Sequence, residues 1–189
     1  MKINANSIRA GNVLEHNGRL CVVTRTPDHT MPGKGGAFVQ VEMKDVKTGT
    51  KISERFRSND NVERVRLDQK DYQFLFTEGT HLNLMDIESF EQISVEQSLI
   101  GEKLAYLQDG MVIVVELHED APIRIMLPDT VVLRIAETEP VVKGQTAASS
   151  YKPAILENGI RIMVPPFIDA DTKVVVKTED DSYVERYKE

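Results

Sequence analysis

The sequence has no tryptophan, a single cysteine, only 6% aromatic residues and no apolar run near the ~20 residues that cross a bilayer. Each shortage excludes something. One thiol, Cys21, cannot form an internal disulfide, and its place in the apolar run LCVVT reads as a small buried side chain. With so few aromatics, no stacking platform for single-stranded nucleic acid is evident, and Phe74, Phe76 and Tyr106 are expected in the core. No basic, apolar leader opens the chain, so a cytoplasmic protein without membrane association is expected. A net charge of -7 argues against a general grip on nucleic acid, whose affinity comes from neutralising lysines and arginines. The charge is uneven, however. Residues 1–64 carry 11 Lys and Arg against 7 Asp and Glu, a net of +4. Residues 65–128 carry 4 against 12 (-8), and residues 129–189 carry 8 against 11 (-3). A basic first third beside an acidic middle either orients the molecule on a polyanion or is ordinary surface charge.

Hydrophobicity alternates with period two, broken by turn residues every eight to twelve positions, which is an all-β signal. Asn17-Gly18, Thr48-Gly49, Glu78-Gly79, Asp109-Gly110 and Asn158-Gly159 mark turns between such runs. In AFVQVEMKDV, Val39, Val41 and Met43 alternate with Gln40, Glu42 and Lys44, giving one buried and one wet face. Segment 27–36 has no apolar period and reads as a long hairpin tip. The stretch SVEQSLIGEKLAYL breaks the pattern. Ser94 and Gln97 have capping-box spacing and Ile100, Leu104 and Leu107 share a helical face, so one helix is predicted over 95–107. The strands group into three units of about 60 residues, which suit three small barrels better than one sandwich. The expected domains are 1–64, 65–128 and 129–189.

Catalytic and metal motifs are missing. Gly33-Lys34 is no phosphate loop, because Asp28 stands where its first glycine would be and Gly35 where a Ser or Thr would bind magnesium. His16, His29, His81 and His118 have no metal-ligand spacing and are expected at the surface, and no GxSxG elbow occurs. No catalytic residue, metal or cofactor is therefore assigned. What stands out is HTMPGKGGAF, residues 29–38, which isolates Lys34 between Pro32-Gly33 and Gly35-Gly36. Glycines allow close approach of another surface, and Pro32 fixes a dihedral near the tip. A projecting arm of some five residues reaches roughly 15 Å. The loop alone reads either as such a probe or as a plain turn with an exposed lysine.

HTMPGKGGAF resembles the PGKG tip of the bacterial elongation factor P family, relatives of the hypusine-bearing translation factor of eukaryotes and archaea. LMDIESFEQ at 84–92 resembles the middle-domain pattern of that family, and KPAILENGIRIMVPPFI at 152–168 its C-terminal signature. The three matches are collinear. The resemblance implies an SH3-like (KOW-type) barrel followed by two OB-fold barrels. It also implies a non-enzymatic factor that binds the 70S ribosome between the peptidyl-tRNA and exit sites. Such a factor contacts ribosomal RNA and P-site peptidyl-tRNA and relieves stalling at consecutive prolines. Lys34 falls on the position modified in the family, which implies a lysine-modifying enzyme as a partner and a covalent adduct of unknown type in place of a cofactor. Pro32, Gly33, Gly35 and Gly36 support that modification and the tRNA acceptor end. A monomer is expected.

Two positions depart from the family pattern. Gly144-Gln145-Thr146-Ala147 stands where Gly-Asp-Thr-Ala is common, in a loop that the resemblance places at the codon or tRNA, and Asp171 stands where glycine is usual. Lysine at 34 separates the chain from the branch with arginine at the tip. Two other classes stay open from the residues alone. A generic RNA-binding or scaffold protein would tolerate loss of Lys34. An enzyme with Lys34 as an imine-forming nucleophile would need a desolvated amine, contrary to a glycine-rich tip.

Overall fold

The computed structural model describes residues 1–31, 33, 35–140 and 150–189. Its fold is all-β, with 55% of the described residues in strands and 7% in helices. The first sheet holds β1 (Lys2–Asn4), β2 (Val13–His16), β3 (Arg19–Val23), β4 (Asp28–Thr30), β5 (Phe38–Asp45), β6 (Lys51–Arg57) and β7 (Asn61–Val65). Their order is β1-β7-β2-β3-β5-β4, with β6 paired to β5. The second holds β8 (Asp68–Glu78), β9 (His81–Asp86), β10 (Gln92–Glu96), β11 (Val112–His118) and β12 (Ala121–Met126), ordered β10-β9-β8-β11-β12. The third holds β13 (Thr130–Thr138), β14 (Lys152–Leu156), β15 (Arg161–Val164), β16 (Lys173–Lys177) and β17 (Ser182–Arg186), ordered β15-β14-β13-β16-β17. Every residue pairing resolved between these strands is antiparallel. By backbone proximity the chain forms two compact units, Met1–Gln69 with Glu116–Arg124, and Lys70–Val115 with Ile125–Glu189.

Local chemistry accounts for much of this. Asn17 and Gly18 both take left-handed φ, 52° and 74°, as a two-residue hairpin turn requires, and β2 pairs with β3 from Val13↔Val22 to His16↔Arg19. Along β5, Val39, Val41 and Met43 are fully buried, and the two valines join Ala5, Leu14 and Val23 in the first core. Cys21 is buried as expected, and burial, with Asp45 nearby, raises its thiol pKa. Asp45 itself is a buried carboxylate. It accepts the Lys47 and Thr48 backbone N–H groups at 2.8 and 3.0 Å, which lowers its pKa and pins the β5–β6 turn.

The helix predicted over 95–107 does not form. Gln92–Glu96 is instead a strand, with Ser94 opposite Asn83 and Val95 buried, so the backbone of Ser94 is committed to the sheet and cannot cap a helix. Two short 3-10 turns follow, Gln97–Leu99 and Gly101–Tyr106, divided where Gly101 takes φ 64° and stops helical propagation. The apolar spacing still does its burying work: Ile100 and Tyr106 are both inside. Tyr106 joins the core of the third sheet with Leu133, Ile135, Leu156, Val164 and Val174. Its hydroxyl donates to Asp181 at 2.5 Å, and Lys103 pairs with the same carboxylate at 3.2 Å. Burial first, and Asp181 second, push the phenol well above its usual pKa.

Two smaller expectations also fail. Phe76 is exposed while Phe74 is buried, because the β8–β9 register shifts between them and turns Phe76 outward opposite Asn83. His16 and His118 are only partly exposed; His16 sits 3.4 Å from Glu54 with its ring edge-on to Phe56.

Asp171 takes φ 64°, and its N–H donates to the Ile135 carbonyl at 2.8 Å. That conformation costs a residue with a Cβ roughly 1 kcal/mol, somewhat less for aspartate. Asp171→Gly is therefore expected to raise the melting temperature slightly and Asp171→Ala to lower it. Equal melting temperatures for the two variants would show that the backbone at this turn relaxes freely.

Candidate functional site

The arm begins where sequence reading placed only a tip. Asp28, His29 and Thr30 pair with Gln40, Val39 and Phe38, so residues 28–30 form a strand despite lacking an apolar alternation, and only 31–37 remain to cross between the two strands. All three side chains of β4 are exposed, which explains the missing pattern: an edge strand with a solvated face has no apolar residue to bury. Pro32 and Lys34 lie outside the described residues, as do Gly144, Gln145, Thr146 and Ala147. Gly33, Gly35 and Gly36 are described and exposed. A Cβ at any of the three would meet nothing within 4 Å among the described residues beyond its chain neighbours. Gly36 alone has a left-handed φ, 84°.

The base of the arm is held on one side by β6. Phe38 lies opposite Arg57 and Gln40 opposite Arg55. The Arg55 guanidinium stands 4.2 Å from the centre of the Phe38 ring, a cation–π contact that keeps its charge outward over an apolar support. Past β6, the Ser58 N–H donates to the Ala37 carbonyl at 2.9 Å, and the Arg57 N–H to Asp60 at 2.8 Å. Three arginines surround this region and differ in how their charge is compensated. Arg25 is neutralised by Glu42 at 2.7 Å, with Asp28 at 3.7 Å. Arg55 and Arg57 are exposed and form no ion pair among the described residues. The arm thus ends in open glycines beside two uncompensated cations. This arrangement suits contact with a phosphate-bearing surface.

At the other expected contact, the flanks of the 144–147 loop are described. The Thr138 hydroxyl donates to the Pro153 carbonyl at 3.1 Å, and Lys152 Nζ to the Glu139 carbonyl at 2.7 Å, closing the base of the β13–β14 connection. Sequence reading missed the cation–π support at Phe38 and a tyrosine pair at Tyr151 and Tyr183, because both depend on cross-strand neighbours that no linear spacing reveals. Among the described residues no group of three or more metal-ligating side chains comes together, and no helix is long and apolar enough to cross a membrane.

Comparison with known proteins agrees along the whole chain. Residues 4–62 match the family model described as the elongation factor P (EF-P) KOW-like domain, 67–125 the elongation factor P OB domain, and 131–186 the elongation factor P C-terminal domain. The chain is 56% identical over 188 residues to elongation factor P of Rickettsia rickettsii (strain Sheila Smith), covering 100% of both. It is 55% identical to that of Rickettsia bellii (strain OSU 85-389) with the same coverage. A solved structure described as eukaryotic translation initiation factor 5A from Methanococcus jannaschii shares the fold over 67% of this chain and 94% of its own, at TM-score 0.54 and 21% identity.

The glycines separate two roles by experiment. Gly36→Ala must place a Cβ in left-handed backbone and is expected to cost about 1 kcal/mol. Gly35→Ala meets nothing among the described residues beyond its neighbours and is expected to leave stability within about 0.5 kcal/mol. Thermal melting distinguishes them, and a large loss for Gly35→Ala would mean the loop packs more closely than its open surroundings indicate.

Proposed function

The chain belongs to the elongation factor P family of translation factors, and from that premise we propose that it binds the 70S ribosome between the peptidyl-tRNA and exit sites and speeds peptide-bond formation at consecutive prolines. It acts there without catalytic residues of its own, as a cytoplasmic monomer of three domains, 1–64, 65–128 and 129–189. The observation that carries the reading is the PGKG sequence between the paired strands β4 and β5, in a chain that matches the family from end to end.

Proline is a constrained and poor participant in peptide transfer. A factor that holds the peptidyl-tRNA end in reactive geometry lowers the barrier by orientation, replacing entropy that the substrates would otherwise lose. In this reading Lys34, extended by a covalent adduct that a modifying enzyme attaches, reaches the acceptor end, and Pro32, Gly33, Gly35 and Gly36 leave room for the RNA and for that enzyme. A cationic extension suits phosphate and 2'-hydroxyl surroundings. Arg55 and Arg57 supply the sequence-independent grip beside it, and Gly144, Gln145, Thr146 and Ala147 contact the codon or tRNA. Gln145 brings hydrogen-bonding capacity there without the charge of the aspartate common at that position.

Lys34→Ala is expected to keep its melting temperature, within the ~0.5 kcal/mol of ordinary surface changes, and to lose rescue of consecutive-proline synthesis in a reconstituted translation assay. Lys34→Arg keeps the charge but lacks the modifiable primary amine, and is expected to fail as well. Full activity of the arginine variant would make modification dispensable; full activity of the alanine variant would favour a generic binding module over this function.

The arginines offer an independent check. Arg55→Gln and Arg57→Gln should each weaken ribosome association and reduce the slope of log affinity against log salt by roughly 0.9 for each phosphate that the variant leaves without a cation. Arg25→Gln, whose charge Glu42 already neutralises, should change the slope less. An unaltered slope in the first two variants would place the ribosome against another face.

A further inference from the structure

In a five-stranded OB fold, the outer face of strands two and three, together with the loops that join strands one to two and four to five, is the usual place for a single nucleic-acid strand. In the third sheet those strands are β14 and β15. Their outward side chains are Pro153 opposite Met163 and Ile155 opposite Arg161. Tyr151 stands at the end of the first of those loops and Tyr183 just beyond the second, in β17. Their ring centroids are 6.5 Å apart at an interplanar angle of 84°. In an edge-to-face pair the ring that offers its edge keeps both faces clear of its partner, and Tyr151 is 54% exposed. The two tyrosines, Arg161, Met163 and Ser182 line an open concavity of about 520 Å³.

The charges nearby favour the same occupant. Asp180 and Asp181 also border the concavity, yet both are engaged: Asp181 by the Tyr106 hydroxyl and Lys103, Asp180 by the Ser182 hydroxyl at 2.5 Å and its N–H at 3.2 Å. Arg161 forms no ion pair among the described residues and also borders a second hollow beside Glu137 and Glu139. One free cation among carboxylates cannot hold a run of phosphates, but it can hold the phosphate of a nucleotide whose base rests on a tyrosine. The matching face of the second sheet carries an exposed aromatic, Phe76, but no arginine beside it: Met85, Gln92 and Ser94 share that face, and Glu78 and Glu96 flank His81.

We infer that the outer face of β14 and β15 takes one unpaired nucleobase of single-stranded RNA, stacked on Tyr151, which Tyr183 braces edge-to-face, with its phosphate on Arg161. This deepens the proposed function, on which it rests only for placing RNA at this end of the chain. The test needs no ribosome: anisotropy of fluorescein-labelled hexauridylate titrated with the full chain. One phosphate contact gives a slope of about -0.7 in log affinity against log salt, and Arg161→Gln should bring it near zero. Tyr151→Ala should weaken binding at least about fivefold, while Tyr151→Phe, which preserves the ring, stays within about twofold. The inference is overturned if the unaltered chain does not bind the hexamer, if Tyr151→Ala binds as well as the unaltered chain, if Tyr151→Phe loses as much as Tyr151→Ala, or if the slope survives Arg161→Gln. Rescue of consecutive-proline synthesis is measured separately with the Lys34 variants, so either reading can fail while the other stands.

Discussion

The alternation along β5 is the constraint on which the working end of the first unit depends. Val39, Val41 and Met43 point into the core with essentially no exposure, and Gln40, Glu42 and Lys44 point away. A slip of one residue against β6 would bring two charged groups and an amide inside and turn three apolar side chains out, so the register is strongly fixed. Fixing it sets Phe38 opposite Thr30 on one side and Arg57 on the other. The number of residues left to cross the tip, the support beneath Arg55 and the anchoring of Ala37 all follow from where that strand begins. The connection between β4 and β5 thus rests on a base held by a row of buried apolar side chains.

The parts of this architecture that are legible in the sequence are those fixed by neighbours in the chain. Asn17-Gly18 specifies its turn because both residues tolerate the required backbone, and β5 advertises its buried face through strict alternation. The failures involve partners far away in sequence. Gln92–Glu96 has helical spacing around it, but pairing with β9 settles its conformation. Phe76 faces outward because of a register shift, which periodicity does not reveal. Edge strand β4 buries none of its side chains and so leaves no trace.

The site divides in the same way. Lys34 and the 144–147 loop stand out through resemblance to a family rather than through any spacing of their own, since a lysine among glycines is chemically silent until something binds it. Arg55 and Arg57 are visible as basic residues, but only the fold distinguishes them from Arg25, whose charge Glu42 cancels. The tyrosine pair is absent from any linear motif because 31 residues separate Tyr151 from Tyr183, and strand order alone brings them together.

Tyr106 lies in the segment that precedes the third sheet, yet it is a fully buried member of that sheet's core. During synthesis it is made before β13 to β17. Until those strands arrive it is a large apolar ring without a socket, and once they arrive it locks them to the turn that carries it. Order in the third-sheet core and order in Gly101–Tyr106 are therefore coupled through that ring. Within the second unit this makes a cooperative seam, in which loss of order at one end is felt at the other instead of being absorbed by a hinge.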